Sequence, residues 1–151
     1  MMEFSIKSRV YLEDSDAQGI VYYVNYLKFM ERARTDFLRD LGFDFQSLQS
    51  QKGHFVVHSL DVRYLKPAKV DDEILITATI TKTARTYVVF LQEIRLIKPP
   101  GEEPNDPNAD VLCRSQVKVA CVSSGSGKPM VIPPQIADAF QTKTVSIQGD
   151  R

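Results

Sequence analysis

A single helical period interrupts a chain that otherwise alternates like β-strand. From Asn25 onward, Tyr26, Phe29, Met30, Ala33, Phe37 and Leu41 recur at helical spacing, while Lys28, Glu31, Arg32, Asp36 and Arg39 fall on other faces. That stripe reads as one amphipathic helix of about four to five turns. Asn25 is placed to cap its start, and Gly42 to sit just past its end. On either side the period is two. FSIKSRVYL (4–12) puts Phe4, Ile6, Val10 and Leu12 on one parity. Four later segments, FVVHSLDVRYLKP, DDEILITATITKT, TYVVFLQEIRL and DVLCRSQVKVACV, are rich in β-branched and aromatic residues. In the second of them Ile74, Ile76, Ala78 and Ile80 oppose Thr77, Thr79 and Thr81. In the first, the apolar parity slips from Phe55 and Val57 to Leu60, Val62 and Tyr64, the signature of a β-bulge at His58–Ser59.

One strand, one long helix and four more strands have an obvious solution. A five-stranded antiparallel sheet curls around one long central helix and buries its stripe. The expected class is α+β, a single domain over residues 1–151. KPPGEEPNDPNAD (98–110) reads as a long solvated hairpin loop and SSGSGKP as a second loop. PPQIADAFQ reads as a short helix started by proline, and residues 142–151 as a flexible tail.

Charge narrows the partners. Lys plus Arg equals Asp plus Glu at 19 each, for a net charge of zero, so no concentrated cationic excess is available for a nucleic acid. MMEFSIKSRVYLED carries no apolar core behind a basic start, and no run of about 18 apolar residues occurs, so membrane insertion is not expected and a cytoplasmic location is. Cys113 and Cys121 lie on one strand-like segment, roughly 26 Å apart at about 3.3 Å per residue, too far for a disulfide. Two free thiols fit a reducing compartment.

The stretch LEDSDAQGIVYYVNY (12–26) carries the chemistry. Asp14, Asp16, Gln18 and Gly19 fall at positions 1, 3, 5 and 6 of a calcium loop, but the preceding segment is a strand and position 12 is Asn25 where a bidentate Glu is needed. His54 and His58 share a strand face at i, i+4, roughly 13 Å apart, so no metal site is expected. A plain turn accounts for the two acids, with Gly19 supplying a positive φ. The flanks, Ile20, Val21, Tyr22, Tyr23 and Tyr26, are too apolar for a mere surface turn and suit the walls of a pocket. The stretch also delivers the chain to the helix start, where unpaired N–H groups collect. A carboxylate facing such donors is the minimum equipment for hydrolysing an acyl derivative. Spacing alone does not choose between Asp14 and Asp16, because i and i+2 share a face in extended chain.

EDSDAQGIVYYVNYLKFMERARTDFL resembles the signature of the hotdog-fold acyl-CoA thioesterases of the 4-hydroxybenzoyl-CoA thioesterase class, in particular the branch associated with the bacterial Tol–Pal system. The similarity continues through FVVHSLDVRYLKPAKVDDEILI and TYVVFLQEIRL. It implies the fold inferred above and hydrolysis of an acyl-CoA, with Asp16 as catalytic acid and the backbone N–H of Tyr23 polarising the thioester carbonyl. Coenzyme A is then part of the substrate and no cofactor is expected. The resemblance further implies homodimers joined sheet edge to sheet edge, with sites at the boundary, often paired into homotetramers. Many members of the branch resemble Tyr-His where this chain has Tyr22-Tyr23, so an imidazole role is lost while a backbone donor is not.

Supporting candidates are Gly19, for close backbone approach or simply for its turn, and Tyr22, for the acyl pocket or simply as a core aromatic. His58 at the bulge is a candidate to face a neighbouring subunit's pocket, and Arg85 with Lys82 to meet coenzyme A phosphates. Glu31 and Arg34 lie at i, i+3, so Glu31 reads as a structural ion pair or a polar helix contact and not as a second catalytic acid. Two rivals are an acyl-thioester hydratase or dehydratase, which needs a placed His absent from the helix-start motif, and a non-catalytic acyl-thioester-binding or envelope-complex scaffold. Acyl class, and base against nucleophile for Asp16, stay open.

Overall fold

The computed structural model describes residues 3–97 and 110–145. Its strands are β1 (Phe4–Arg9), β2 (Gly53–Tyr64), β3 (Glu73–Thr83), β4 (Tyr87–Leu96) and β5 (Val111–Ser123). Its helices are α1 (Asn25–Asp40), α2 (Phe45–Ser50) and α3 (Pro134–Lys143), with a 3-10 turn at Leu12–Asp14. The five strands form one antiparallel sheet in the order β1-β3-β4-β5-β2. The β3-β4-β5 meander is local in sequence. The outer strands β1 and β2 are added by long-range pairing, Ile6 opposite Ile76 and Phe55 opposite Cys121.

The alternation read in β3 holds, with Ile74, Ile76, Ala78 and Ile80 all buried against α1 and its neighbours. Tyr26, Phe29, Met30, Ala33 and Phe37 form the buried stripe of α1. One polar residue ties the two layers. Gln92, fully buried on β4, donates from Nε2 to the Met30 and Thr77 carbonyls at 3.0 and 3.1 Å, and its Oε1 accepts from Arg34 Nη1 at 2.9 Å. Burial holds the half-buried Arg34 guanidinium below its ordinary pKa, while Glu31 pulls the other way. Arg34 therefore answers to the sheet. Among the described residues it makes no close ion pair with Glu31, which corrects the ion-pair reading and leaves Glu31 a charge acting on Arg34 from a distance; Arg39 and Asp36 form an i, i+3 pair at 2.9 Å.

The bulge at His58 is present: Val57 pairs with Val119, and Ser59 with the adjacent Lys118. It switches parity so that Leu60, Val62 and Tyr64 share the inward face with Phe55 and Val57. A second shift between Ile80 and Lys82 was not legible in the threonine-rich pattern. Gly42 closes α1 at φ +96°, and Pro134 opens α3 at its first turn.

Other expectations need correction. β1 ends at Arg9, and Leu12 is 77% exposed in the 3-10 turn, not in the core. The polar stretch after α1 contains α2, whose N-cap Asp44 accepts from Ser47 N–H at 2.9 Å while the Ser47 hydroxyl reaches back to Asp44 N–H. Three helices therefore flank the sheet. α3 runs to Lys143, so the expected tail begins later than 142. The expected hairpin loop up to residue 109 and the tail from 146 lie outside the described residues. Among the described residues, no helix is long and apolar enough to cross a membrane.

Candidate active site

The segment between β1 and α1 is a tight hairpin. Ser15 bridges Val21, Asp16 N–H donates to the Ile20 carbonyl at 2.9 Å, and Tyr22 N–H donates to the Asp14 carbonyl at 3.0 Å. Gly19 turns the tip at φ +78°, a conformation that strains any side chain, and nothing lies within 4 Å of where a Cβ would be. Its turn role is thus visible, and a close approach to neighbouring protein atoms is not. The hairpin is anchored to the lead-in of β3 by Val21 N–H on the Ala68 carbonyl and Val70 N–H on the Gly19 carbonyl, at 2.9 and 3.1 Å.

The two acids separate here. Asp14 is structural: its Oδ2 accepts from Tyr11 N–H at 2.8 Å, and its carbonyl takes the Asn25 side-chain amide at 2.7 Å. Asp16 is exposed, and its Oδ1 accepts only the local Gln18 N–H at 2.8 Å. Among the described residues its Oδ2 has no hydrogen-bond partner. Asn25 is also not the helix cap. Val24 occupies that position in helical conformation with no side-chain cap, and Asn25 spends its amide holding the hairpin against the helix start.

An uncapped helix start leaves donors open. The Tyr22 carbonyl accepts from Asn25 N–H at 2.8 Å, whereas the N–H of the same peptide unit, Tyr23 N–H, has no partner among the described residues. Bonding at one end of a peptide strengthens the donor at the other. The first turn of α1 carries no acid, so the positive end of its dipole is unneutralised. Side chains wall the spot. Tyr22 and Tyr23 are about half exposed with rings 5.0 Å apart, and Tyr64 stands edge-on to Tyr23 and donates its hydroxyl to the Tyr23 carbonyl at 3.2 Å. Tyr26, in ring contact with Tyr64, accepts from Ala68 N–H at 2.9 Å. Burial raises the pKa of both Tyr64 and Tyr26, so both hydroxyls stay protonated. Tyr64 reaches this wall only because the bulge turned it inward.

Asp16, Gly19, Tyr22 and Tyr23 are thus carried on one segment, the hairpin and its exit into α1. His58 and Arg85 are not. His58 is exposed at the bulge, its Nδ1 3.3 Å from the Ser59 hydroxyl. Arg85 is exposed in the β3–β4 turn, roughly 30 Å of extended strand from the end of β3 where the hairpin is anchored. Sequence reasoning missed Asn25 as a strut and Tyr64 as a wall. The motif's spacing signalled neither; the parity slip in β2 was the only trace of the second. A cavity of about 400 Å³ lies elsewhere, between α1, α2, α3 and the start of β2, and none of the four hairpin residues lines it. Among the described residues no cluster of three or more His, Cys, Asp or Glu side chains is arranged to hold a metal.

The family model described as the thioesterase superfamily matches residues 18–100. An acyl-CoA thioesterase, YbgC, of Haemophilus influenzae is 39% identical over 138 residues, covering 91% of this chain and 93% of that protein. A crystal structure of a probable thioesterase from Bartonella henselae has a TM-score of 0.70 at 29% identity, over 87% of this chain and 98% of its own. A 1,4-dihydroxy-2-naphthoyl-CoA thioesterase from Synechocystis superposes with a TM-score of 0.79 over 93% of this chain and 96% of its own; at 22% identity it speaks for the fold alone. The fold is the hotdog thioesterase fold, an antiparallel five-stranded sheet with helices, and the chain belongs to the thioesterase superfamily.

Proposed function

We propose that this protein hydrolyses acyl-CoA thioesters to a carboxylic acid and free coenzyme A, with Asp16 and the Tyr23 N–H as its working groups. The observation that carries the reading is the division of labour on the hairpin: Asp14 is consumed by backbone bonds, while Asp16 keeps an open oxygen on the strand pair that leads to an unpartnered N–H. In this reading the thioester oxygen accepts from Tyr23 N–H, and the dipole of α1 stabilises the charge that develops as the carbonyl carbon becomes tetrahedral. Asp16 removes a proton from the attacking water, the C–S bond breaks, and the proton passes to the departing thiolate. Direct attack by Asp16, giving a mixed anhydride that water then opens, uses the same geometry.

The functional unit in this proposal is a dimer. β2 is an edge strand, and Val57, Leu60 and Tyr64, all on its inward face, are 46%, 43% and 45% exposed. Antiparallel pairing of two β2 edges about a twofold axis covers them and extends the sheet. α1 becomes the one central helix of each half. The axis also brings the start of one β2, and beyond it the β3–β4 turn with Arg85, toward the other copy's hairpin. That is the route by which His58 and Arg85 join the site. We further place the chain in the cytoplasm, in the Tol–Pal-associated branch that its helix-start motif resembles, and as a pair of dimers.

The rival worth separating is a scaffold that binds thioesters without cleaving them. Incubation with short, long and aromatic acyl-CoAs and a thiol-reactive dye is expected to show thiol release for at least one acyl class. Binding with no release from any of them contradicts the proposal. The protein's own thiols interfere little, since both cysteines are buried and burial pushes the Cys113 thiol up to about 12.

A further inference from the structure

We infer that the cavity between α1, α2, α3 and the start of β2 is a ligand site in its own right, for a free carboxylate carried on an apolar body, with the Arg34 guanidinium as the group that takes the head. The inference goes beyond the hydrolase reading and does not depend on it, because it concerns binding away from the hairpin.

The floor of the cavity is apolar and continuous. Val57, Val119 and Val88 are cross-strand neighbours on β2, β5 and β4, and Phe90 follows Val88 on the same face of β4. Phe140 of α3 closes it, its ring 5.7 Å from that of Phe55. The next inward residue of β4 after Phe90 is Gln92, whose Oε1 takes one N–H of Arg34 at 2.9 Å. A guanidinium carries more N–H groups than one amide oxygen can accept. Among the described residues the other N–H groups of Arg34 have no hydrogen-bond partner. They are not sealed in protein either, since among the described residues the buried side-chain atom without a partner is Ser115 Oγ. Arg34 lines the cavity, so its spare donors serve whatever fills it. Thr35 Oγ1 and the His54 ring, both half-buried in the lining, also lack a partner among the described residues.

Charge chooses the head. The other charged side chains of the lining are exposed, and two of them are engaged: Asp44 accepts from Ser47 at the start of α2, and Arg39 pairs with Asp36. Glu31 acts on Arg34 only from a distance. Arg34 alone is drawn out of water, and the burial that lowers its pKa marks a cation its surroundings do not fully compensate. A carboxylate brings the missing charge and a pair of oxygens that match the guanidinium fork. An alcohol brings only an acceptor, and an ammonium is repelled. The volume of about 400 Å³ falls at the small end of ligand pockets. At ~30 Å³ per group, the share of one liquid water, it matches about a dozen non-hydrogen atoms.

Decanoate has that size. Calorimetric titration of the wild-type protein at neutral pH is expected to give decanoate an affinity at least about tenfold above those of decanol and decylammonium, the scale of a charge-assisted hydrogen bond. Arg34→Gln removes the charge but keeps a donor for Gln92, and is expected to abolish that preference while decanol still binds. Glu31→Gln, at an exposed position, is expected to tighten decanoate, because its charge opposes an anion. Thr35→Phe fills the cavity and is expected to weaken both ligands. Equal affinity for decanoate and decanol overturns the inference, as does decanoate binding that Thr35→Phe leaves unchanged. Binding is read without turnover, so a failure here is separate from a failure of Asp16 as the working acid. A second acid of the same size, 4-phenylbutyrate, separates the two supplies of ligand. If the tighter-bound acid matches the acyl-CoA that releases thiol faster, the site takes the protein's own product; if not, it takes an acid made elsewhere.

Discussion

Replacing Asp16 by Asn is expected to lower kcat for the preferred acyl-CoA by at least about 100-fold and to leave KM nearly unchanged, the pattern of a group that acts in the transition state. Asn keeps the shape, and its side-chain oxygen still accepts from Gln18 N–H, so the hairpin tip is retained. What is lost is the open, charged oxygen. The companion variant sharpens the result. Asp14→Asn weakens the bond to Tyr11 N–H, a structural contact, and turnover is expected to survive within a few-fold. If the two variants behaved alike, the assignment of separate roles to the two acids would fail.

The second large effect is on stability. Gln92→Leu keeps the volume at a fully buried position but removes both donors to the Met30 and Thr77 carbonyls and the acceptor for Arg34. A half-buried guanidinium is left without its only side-chain acceptor among the described residues, and such an uncompensated group outweighs the added apolar contact. Urea denaturation is expected to show a loss of about 2–4 kcal/mol, the range for a broken buried polar network. Adding Arg34→Met to Gln92→Leu is expected to recover part of that loss, because the stranded charge is gone. A single variant as stable as wild type would mean that the amide is incidental to how α1 seats on the sheet.

What the sequence disclosed follows from which forces are local. The stripe of α1, the alternation in β3, the bulge at His58, the left-handed glycine at 42 and the proline start of α3 each arise from residues within a few positions of one another, so their patterns are written in order along the chain. Strand order is different. That β1 joins β3 and β2 joins β5 depends on which edges are free once the meander has formed, and no period records it. α2 escaped notice because six residues give too short a stripe; its one signal was the reciprocal capping of Asp44 and Ser47. Helix spacing points Arg34 toward Glu31, yet its hydrogen-bond partner Gln92 lies 58 positions away.

The site divides the same way. The hairpin residues were legible as a group because the turn at Gly19 and the helix start are adjacent in sequence. The separation of Asp14 from Asp16 was not, since it depends on which backbone N–H each carboxylate meets. Nor was the part played by Tyr64, which reaches Tyr23 across 41 positions and only after a parity change in its strand.

The proposed reaction turns on the Tyr23 N–H taking the thioester oxygen at the mouth of α1. Isotope-edited infrared spectroscopy of a carbonyl-labelled acyl-CoA bound to the slow Asp16→Asn variant reads that contact directly. Polarisation by the N–H and the helix dipole is expected to move the carbonyl stretch to lower frequency than in water. A bound thioester whose stretch stayed at its solution value, or moved up, would contradict it.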